Sequence, residues 1–264
     1  MSAANPLPWH SLAGKNIWVT GGAGHLGSTV IRALDAAGAR TLCIDLPGRS
    51  EALIREHRLT RTSAAGIDLA VIEAIPEFVQ ASVRQYGVPD GLVHLAFASS
   101  AGRRLEELTP AEFRHSFDAG LLPAFVLSRA VAEAMRSRGS GSVVLFASMY
   151  GVVAPDPRIY SAGLTPNPID YGASKAAVLQ LARYFAVHYG RDGLRFNCIT
   201  PGPFPNPGVQ RAHPGFIAKL GEKTALGRIG QNEEIVGPTL FLLTDSASYV
   251  TGHSLVVDGG WTAW

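Results

Sequence analysis

Cysteine is scarce: Cys43 and Cys198 are the only two in 264 residues, each inside an apolar run. A disulfide scaffold is excluded, and two buried, inert thiols are expected. Charge is scarce too. Asp, Glu, Lys and Arg together make 17% of the chain, below the roughly 25% usual in soluble proteins, which excludes a disordered or highly charged tail protein. The net charge of +2 comes without a Lys/Arg run, so the electrostatic footprint of a nucleic-acid binder is missing. No His/Cys/Asp/Glu cluster has metal-ligand spacing, and no metal is expected. No apolar window of about 18 residues occurs, so no membrane span is expected. Residues 1–12 lack a basic segment followed by an apolar stretch. A secretory leader is therefore not expected, and the cytoplasm is the expected compartment.

Hydrophobic residues are plentiful at 47%, enough for a large core without staples. The 29 Gly and 17 Pro have no collagen-like period and read as turn punctuation. Short apolar runs at 16–20, 40–44, 91–96, 142–147, 195–199 and 254–257 alternate with helical patterns near 25–37, 69–86, 110–136, 170–190 and 232–243. Several runs are apolar almost throughout, as strands buried on both faces of a parallel sheet are. The alternation predicts an α/β fold: a Rossmann-type doubly wound parallel sheet of about seven strands, with helices on both faces. One domain over 1–264 is expected, with substrate loops at about 151–169 and 200–222, because ligands bind beyond the carboxyl ends of the strands.

The turn Thr20-Gly21-Gly22-Ala23-Gly24-His25-Leu26-Gly27 follows the first strand and opens the first helix. Glycines there let the backbone approach a pyrophosphate, whose charge sits at the helix N-terminus. Asp45 ends the next strand, 18 residues after Gly27. A carboxylate at that place accepts ribose hydroxyls and repels a 2′-phosphate, so NAD is expected rather than NADP. Arg49 lies close by and leaves room for dual use. Asp68 with Leu69 could reach the adenine, although a plain helix cap explains Asp68 nearly as well.

Tyr171 and Lys175 stand at i and i+4 of a long helical pattern and share a face. A tyrosine with a pKa near ~10 is a poor acid–base group at neutral pH. A neighbouring ammonium, and the charge of an oxidised nicotinamide, would lower that value. Ser148 follows the apolar run 142–147 and can project its hydroxyl into the same site. Tyr160 competes for the catalytic place, but its i+4 residue is Leu164, so Tyr171 is preferred.

With these motifs in this order, the chain resembles the compact, single-domain branch of the short-chain dehydrogenase/reductase family over nearly its whole length. The resemblance extends to Gly14-Lys15-Asn16-Ile17-Trp18-Val19-Thr20, Asn197-Cys198-Ile199-Thr200-Pro201-Gly202-Pro203, and the ending Val250-Thr251-Gly252 with Val257-Asp258-Gly259-Gly260-Trp261. It implies hydride transfer between NAD(P) and a carbonyl/alcohol pair. Tyr171 would be the acid–base, Lys175 the ribose ligand, and Ser148 the hydrogen-bond partner of the reacting oxygen. Gly21, Gly24, His25, Leu26, Gly27, Asp45, Asp68, Leu69, Ala96, Pro201 and Gly202 would hold the cofactor with Tyr171 and Lys175. It also implies a homotetramer, with a dimer as the alternative.

Four departures stand out. The glycines at 21, 24 and 27 follow a spacing more usual in the sugar-nucleotide epimerase branch. The family's Asn-Asn-Ala-Gly appears as His94-Leu95-Ala96-Phe97. Gly120 stands where many members place an asparagine that anchors a relay water, so another group, or a water in the space left by glycine, would have to serve. The threonine expected soon after Pro201-Gly202 is missing from Phe204-Pro205-Asn206-Pro207.

The stretch from Ser148 to Tyr171 spans 23 positions, longer than is usual in that family. Its extra loop, 155–168, carries Asp156, Arg158, Tyr160, Ser161, Thr165 and Asn167. With Arg158 and Tyr160 joining Ser148 and Tyr171 at the substrate, such a lining suits a sugar, polyol or sugar acid better than a steroid or acyl chain. Ser99, Ser100, Arg103 and Arg104 could add contacts. The C-terminal Trp261 and Trp264 could dock on a neighbouring subunit. The competing readings are a non-catalytic nucleotide-sensing regulator on the same fold, and a sugar-nucleotide epimerase for which no C-terminal substrate domain is left.

Overall fold

A computed structural model describes residues 10–98, 102–160 and 163–264. Its seven strands are β1 (Asn16–Thr20), β2 (Arg40–Asp45), β3 (Thr62–Gly66), β4 (Gly91–His94), β5 (Gly141–Phe146), β6 (Leu194–Pro201) and β7 (Ser254–Val257). They form one sheet in the order β3-β2-β1-β4-β5-β6-β7, with every pairing parallel. The order reverses between β1 and β4, the switch point at which a crevice opens beyond the strand ends.

The helices are α1 (Gly27–Ala36), α2 (Arg49–His57), α3 (Ile75–Tyr86), α4 (Pro110–Ser116), α5 (Leu122–Arg136), α6 (Ile169–Tyr189), α7 (Pro207–Ala212), α8 (Pro214–Glu222) and α9 (Val236–Leu243). Strand residues alternate between faces, and the core divides accordingly. Trp18, Leu42, Leu92, Val143 and Leu145 pack with α3, α5 and α6. Val19, Cys43, Val93, Val144 and Ile199 pack with α1 and α9. Both cysteines are free and buried, as expected.

The helix expected over 110–136 is three pieces. α4 starts at the Thr109–Glu112 capping box, and a π turn at Phe117–Leu121 joins it to α5. Pro123 cannot donate to the carbonyl four residues before it, and the wider π turn absorbs that break. The pattern at 69–86 becomes a short 3₁₀ turn, Ile72–Ala74, followed by α3. Four elements lay outside the expected pattern: β3, α2, α7 and α8. No helix among the described residues is long and apolar enough to cross a membrane.

Candidate active site

The glycine turn builds one end of a cleft along the strand ends. Gly21 has φ +67°, and a Cβ there would fall 2.7 Å from the Ala96 backbone nitrogen. A Cβ on Gly27 would fall 2.1 Å from the Gly21 carbonyl oxygen. α1 therefore starts hard against the turn, with no side-chain cap, and its free N–H groups are open to an anion. His25 lies beside it. Asn232 donates to the His25 carbonyl and to its Nδ1, both at 3.3 Å. Nε2 then carries the imidazole hydrogen, and it is buried without a protein partner. Burial holds the His25 pKa below its ordinary value. An orphaned donor next to an uncapped helix start fits a pyrophosphate. Asn232 stands at the start of the helical pattern at 232–243, and nothing in that local pattern ties it to His25, 207 residues away.

One half of the cleft, about 270 Å³, is lined by Ile44, Asp45, Arg49, Ile67, Asp68 and Leu69 among others. Asp45 is held in place by the Ala23 N–H at 3.0 Å and the Leu46 N–H at 2.9 Å. Arg49 pairs with it at 3.1 Å and partly offsets its charge. Asp68 accepts from Ala70 N–H, so it closes a local turn and lines the cleft at once.

The other half, about 410 Å³, brings together Gly24, His25, Leu26, Gly27, Ser148, Tyr171, Lys175, Pro201 and Gly202. Ser148 leaves β5 and accepts from Tyr150 N–H at 3.2 Å. Tyr171 and Lys175 come from α6. Lys175 Nζ donates to the Phe146 carbonyl at 2.7 Å, and burial brings its pKa down to about 7. Tyr171 departs from the expected lowering. Burial raises its pKa, and the hydrogen bond with Ser148 only partly offsets that.

Two further side chains shape this half. Phe204 lines it where the family's threonine is missing. Phe97, the large residue of His94-Leu95-Ala96-Phe97, sits with its ring centroid 4.0 Å from Lys175 Nζ and edge-on to Tyr171 at 5.3 Å. A Cβ on Gly120 would fall 2.4 Å from that ring. Of the two alternatives for a relay, another group or a water in the space left by glycine, the second loses its space, because the Phe97 ring fills it. His94, in place of the first asparagine, bonds Thr20 Oγ1 through Nδ1 at 2.7 Å.

No described residue of the inserted loop lines either half of the cleft. Arg158 is not brought to the site: its side chain is 83% exposed and forks onto Asp156. Asp156 also takes Lys223 Nζ at 2.5 Å, and Arg158 first, then Lys223, hold its carboxyl far below the usual range. Tyr160 meets Tyr150 hydroxyl to hydroxyl at 3.1 Å and lies tilted against Phe216 of α8, ring centroids 5.1 Å apart. It thus ties the loop to α8 as part of the wall beyond Tyr171. Arg103 pairs with Glu112 at 2.7 Å, and Arg104 is exposed. Ser99, Ser100 and Ser161 lie outside the described residues. Trp261 is buried beside the loop. Trp264 is exposed and donates to the Lys223 carbonyl.

Residues 22–262 match a family model described as enoyl-(acyl carrier protein) reductase. The chain is 32% identical over 256 residues to a 2,5-dichloro-2,5-cyclohexadiene-1,4-diol dehydrogenase of Sphingobium indicum, covering 96% of this chain and 98% of the relative. It is 34% identical over 253 residues to the L-tagatose-forming galactitol 2-dehydrogenase of Cereibacter sphaeroides, covering 93% and 94%. A gluconate 5-dehydrogenase from Burkholderia cenocepacia, solved with NADP and tartrate, superposes with TM-score 0.88 at 27% identity, covering 98% of this chain and 100% of that one. A short-chain dehydrogenase from Leptospira borgpetersenii with bound NAD+ gives TM-score 0.86 at 29% identity, covering 99% and 98%.

Proposed function

The chain belongs to the short-chain dehydrogenase/reductase family, and from that premise we propose that it is an NAD-dependent dehydrogenase of a sugar, polyol or sugar acid. The observation that carries this reading is the convergence of Ser148, Tyr171 and Lys175 on the cleft whose far half ends at Asp45. Galactitol and gluconate dehydrogenases among the relatives support a polyhydroxylated substrate. Both NAD+ and NADP are bound by the structural neighbours. Asp45 favours NAD, because a fixed carboxylate repels a 2′-phosphate.

Gly21, Gly24, His25, Leu26 and Gly27 would hold the pyrophosphate. Asp45, Asp68 and Leu69 would hold the adenosine, and Ala96, Pro201, Gly202 and Lys175 the nicotinamide riboside. When bound, the oxidised nicotinamide supplies the hydride acceptor and a positive charge. In the oxidative direction Ser148 hydrogen-bonds the substrate oxygen. The Tyr171 phenolate takes the hydroxyl proton as the carbinol C–H leaves as hydride, so alcohol becomes ketone and one proton stays on Tyr171. Lys175 favours that phenolate. The same reading places the enzyme in the cytoplasm as a homotetramer, with a dimer as the alternative.

The test is cofactor reduction followed by absorbance, with NAD and NADP in turn, over sugars, polyols, sugar acids and hydrophobic alcohols. Turnover with NAD and a polyhydroxylated compound is expected. Tyr171→Phe should then lose at least about 100-fold in kcat. NAD binding without turnover on the whole panel would overturn the enzyme reading in favour of a nucleotide-sensing regulator.

A further inference from the structure

Lys175 is an ammonium with three hydrogens to place, and no carboxylate pairs with it among the described residues. One hydrogen goes to the Phe146 carbonyl. The next contact is the face of Phe97, 4.0 Å from Nζ to the ring centroid. That is well inside the roughly 6 Å over which a ring face attracts a cation. The Tyr171 ring is farther, at 5.8 Å, and its edge contact with Phe97 makes the three side chains one stack.

Phe97 can lie there only because of Gly120. That glycine is buried in the π turn, and a Cβ on it would come within 2.4, 2.7 and 2.9 Å of three ring atoms. Any larger residue would push the ring off its seat. Two departures from the family pattern, an aromatic after β4 and a glycine in the π turn, are thus halves of one contact. Phe97 lines both halves of the cleft, so its ring stands at their junction.

We propose that Phe97 is a positioning residue: seated on Gly120, its ring holds the Lys175 ammonium against Tyr171 in place of a polar relay. The proposal rests on the reading of Tyr171 and Lys175 as the acid–base pair. The other titratable groups that face this pair stay neutral from about pH 5 to 9. They are His94 from β4, brought down to about 3 by burial, Cys198 from β6, pushed up to about 12, and Tyr150 from the turn after β5, pushed up by burial. Asp170, at the start of α6, is buried and bonded by Ser116 of α4. Asp118 of the π turn is exposed. Asp170, Asp118 and His25 are the same in Phe97→Met and Phe97→Tyr, so a difference between the pH profiles of those two variants is assigned to Lys175 and Tyr171.

The experiment measures kcat against pH at saturating NAD and alcohol for Phe97→Met, Phe97→Tyr, Gly120→Ala and Phe97→Met/Gly120→Ala, with NAD affinity measured separately. Phe97→Met keeps volume but loses the ring face. The ammonium then gives up its proton more readily, Tyr171 keeps its own longer, and the rising limb should move up by roughly half a pH unit to one unit. Phe97→Tyr should restore the limb. Gly120→Ala alone should shift it too, but add nothing in the Phe97→Met background, since the ring it would displace is gone. An unmoved limb in Phe97→Met and Gly120→Ala overturns the proposal, as does a loss confined to NAD affinity. If Tyr171→Phe, run beside them, keeps its turnover, the acid–base reading itself fails. If Tyr171→Phe is dead and the limb is unmoved, only the role of Phe97 falls.

Discussion

His94 ends β4 as a fully enclosed imidazole, with Thr20 on Nδ1 and no protein partner on Nε2. Burial first, and the Lys175 charge second, bring its pKa down to about 3. An unfolded chain would take up this proton near its ordinary pKa of about 6.5. Between those values the unfolded state binds more protons, so stability falls as pH falls from about 6.5 toward 3. By pH 4.5 the loss from this one group should be roughly 2.7 kcal/mol. His94→Asn keeps a partner for Thr20 and cannot charge, so its thermal midpoint should decline less steeply below pH 6 than that of the parent. Parallel declines would show that other groups govern the acid limb. At this scale the sequence was legible wherever chemistry demanded a residue type at a fixed spacing: Tyr171 and Lys175 on one helix face, Asp45 at a strand end. It was silent on Phe97 and Gly120 as a pair. Each departure was visible, but only the fold brings a ring after β4 onto a π turn. Arg158 misled for a related reason. A charged residue in an inserted loop looks like a ligand until Asp156 and Lys223 are seen to hold that loop against α8.

The elements that position the site differ in how openly their patterns declare them. β1, β4, β5 and β6 are apolar and buried on both faces, and each was found in the sequence. β3 (Thr62–Gly66) is an edge strand of small residues with no large side chain to mark it. α2 buries only Ser50 and Leu53, so its charged pattern reads as loop. α7 and α8 each start at a proline, at Pro207 and Pro214, and resembled the Pro-rich loop before them. The junction of the glycine turn with α1 allows the sharpest test at this scale. A methyl on Gly27 would meet the Gly21 carbonyl oxygen at 2.1 Å, whereas one on Gly24 would stand 3.0 Å from the same atom. Gly27→Ala should therefore cost about 2–3 kcal/mol of stability and at least about tenfold in NAD affinity, as the α1 N-terminus swings off the phosphate position. Gly24→Ala should cost clearly less. Calorimetric titration with NAD, beside a denaturant series, separates the two. Equal effects would mean that the turn relaxes freely and does not set the helix.

At the scale of the molecule, α6 links the site to the outer surface. Its inner side carries Tyr171 and Lys175 and packs Val178, Ala182 and Phe185 on the sheet. Its outer side presents Tyr184 and Val187, the latter 86% exposed. Near its start, Ile169 borders an apolar groove with Leu105, Leu108, Phe113 and Phe117. A helix apolar on nearly all sides is normally covered on all sides, and a second copy of the chain is the partner that the proposed homotetramer supplies. Assembly and catalysis would then be coupled, because the helix clamped between subunits also aims the acid–base pair. Val187→Glu tests this directly, since it puts a charge where an isologous contact would bury it twice. The parent should sediment as a tetramer or dimer, and Val187→Glu as a smaller species at equal concentration. Its kcat should fall with dilution in step with dissociation, although Val187 touches neither half of the cleft. A monomeric parent, or a dissociated variant with full kcat, would show that α6 holds Tyr171 and Lys175 without help from a neighbour.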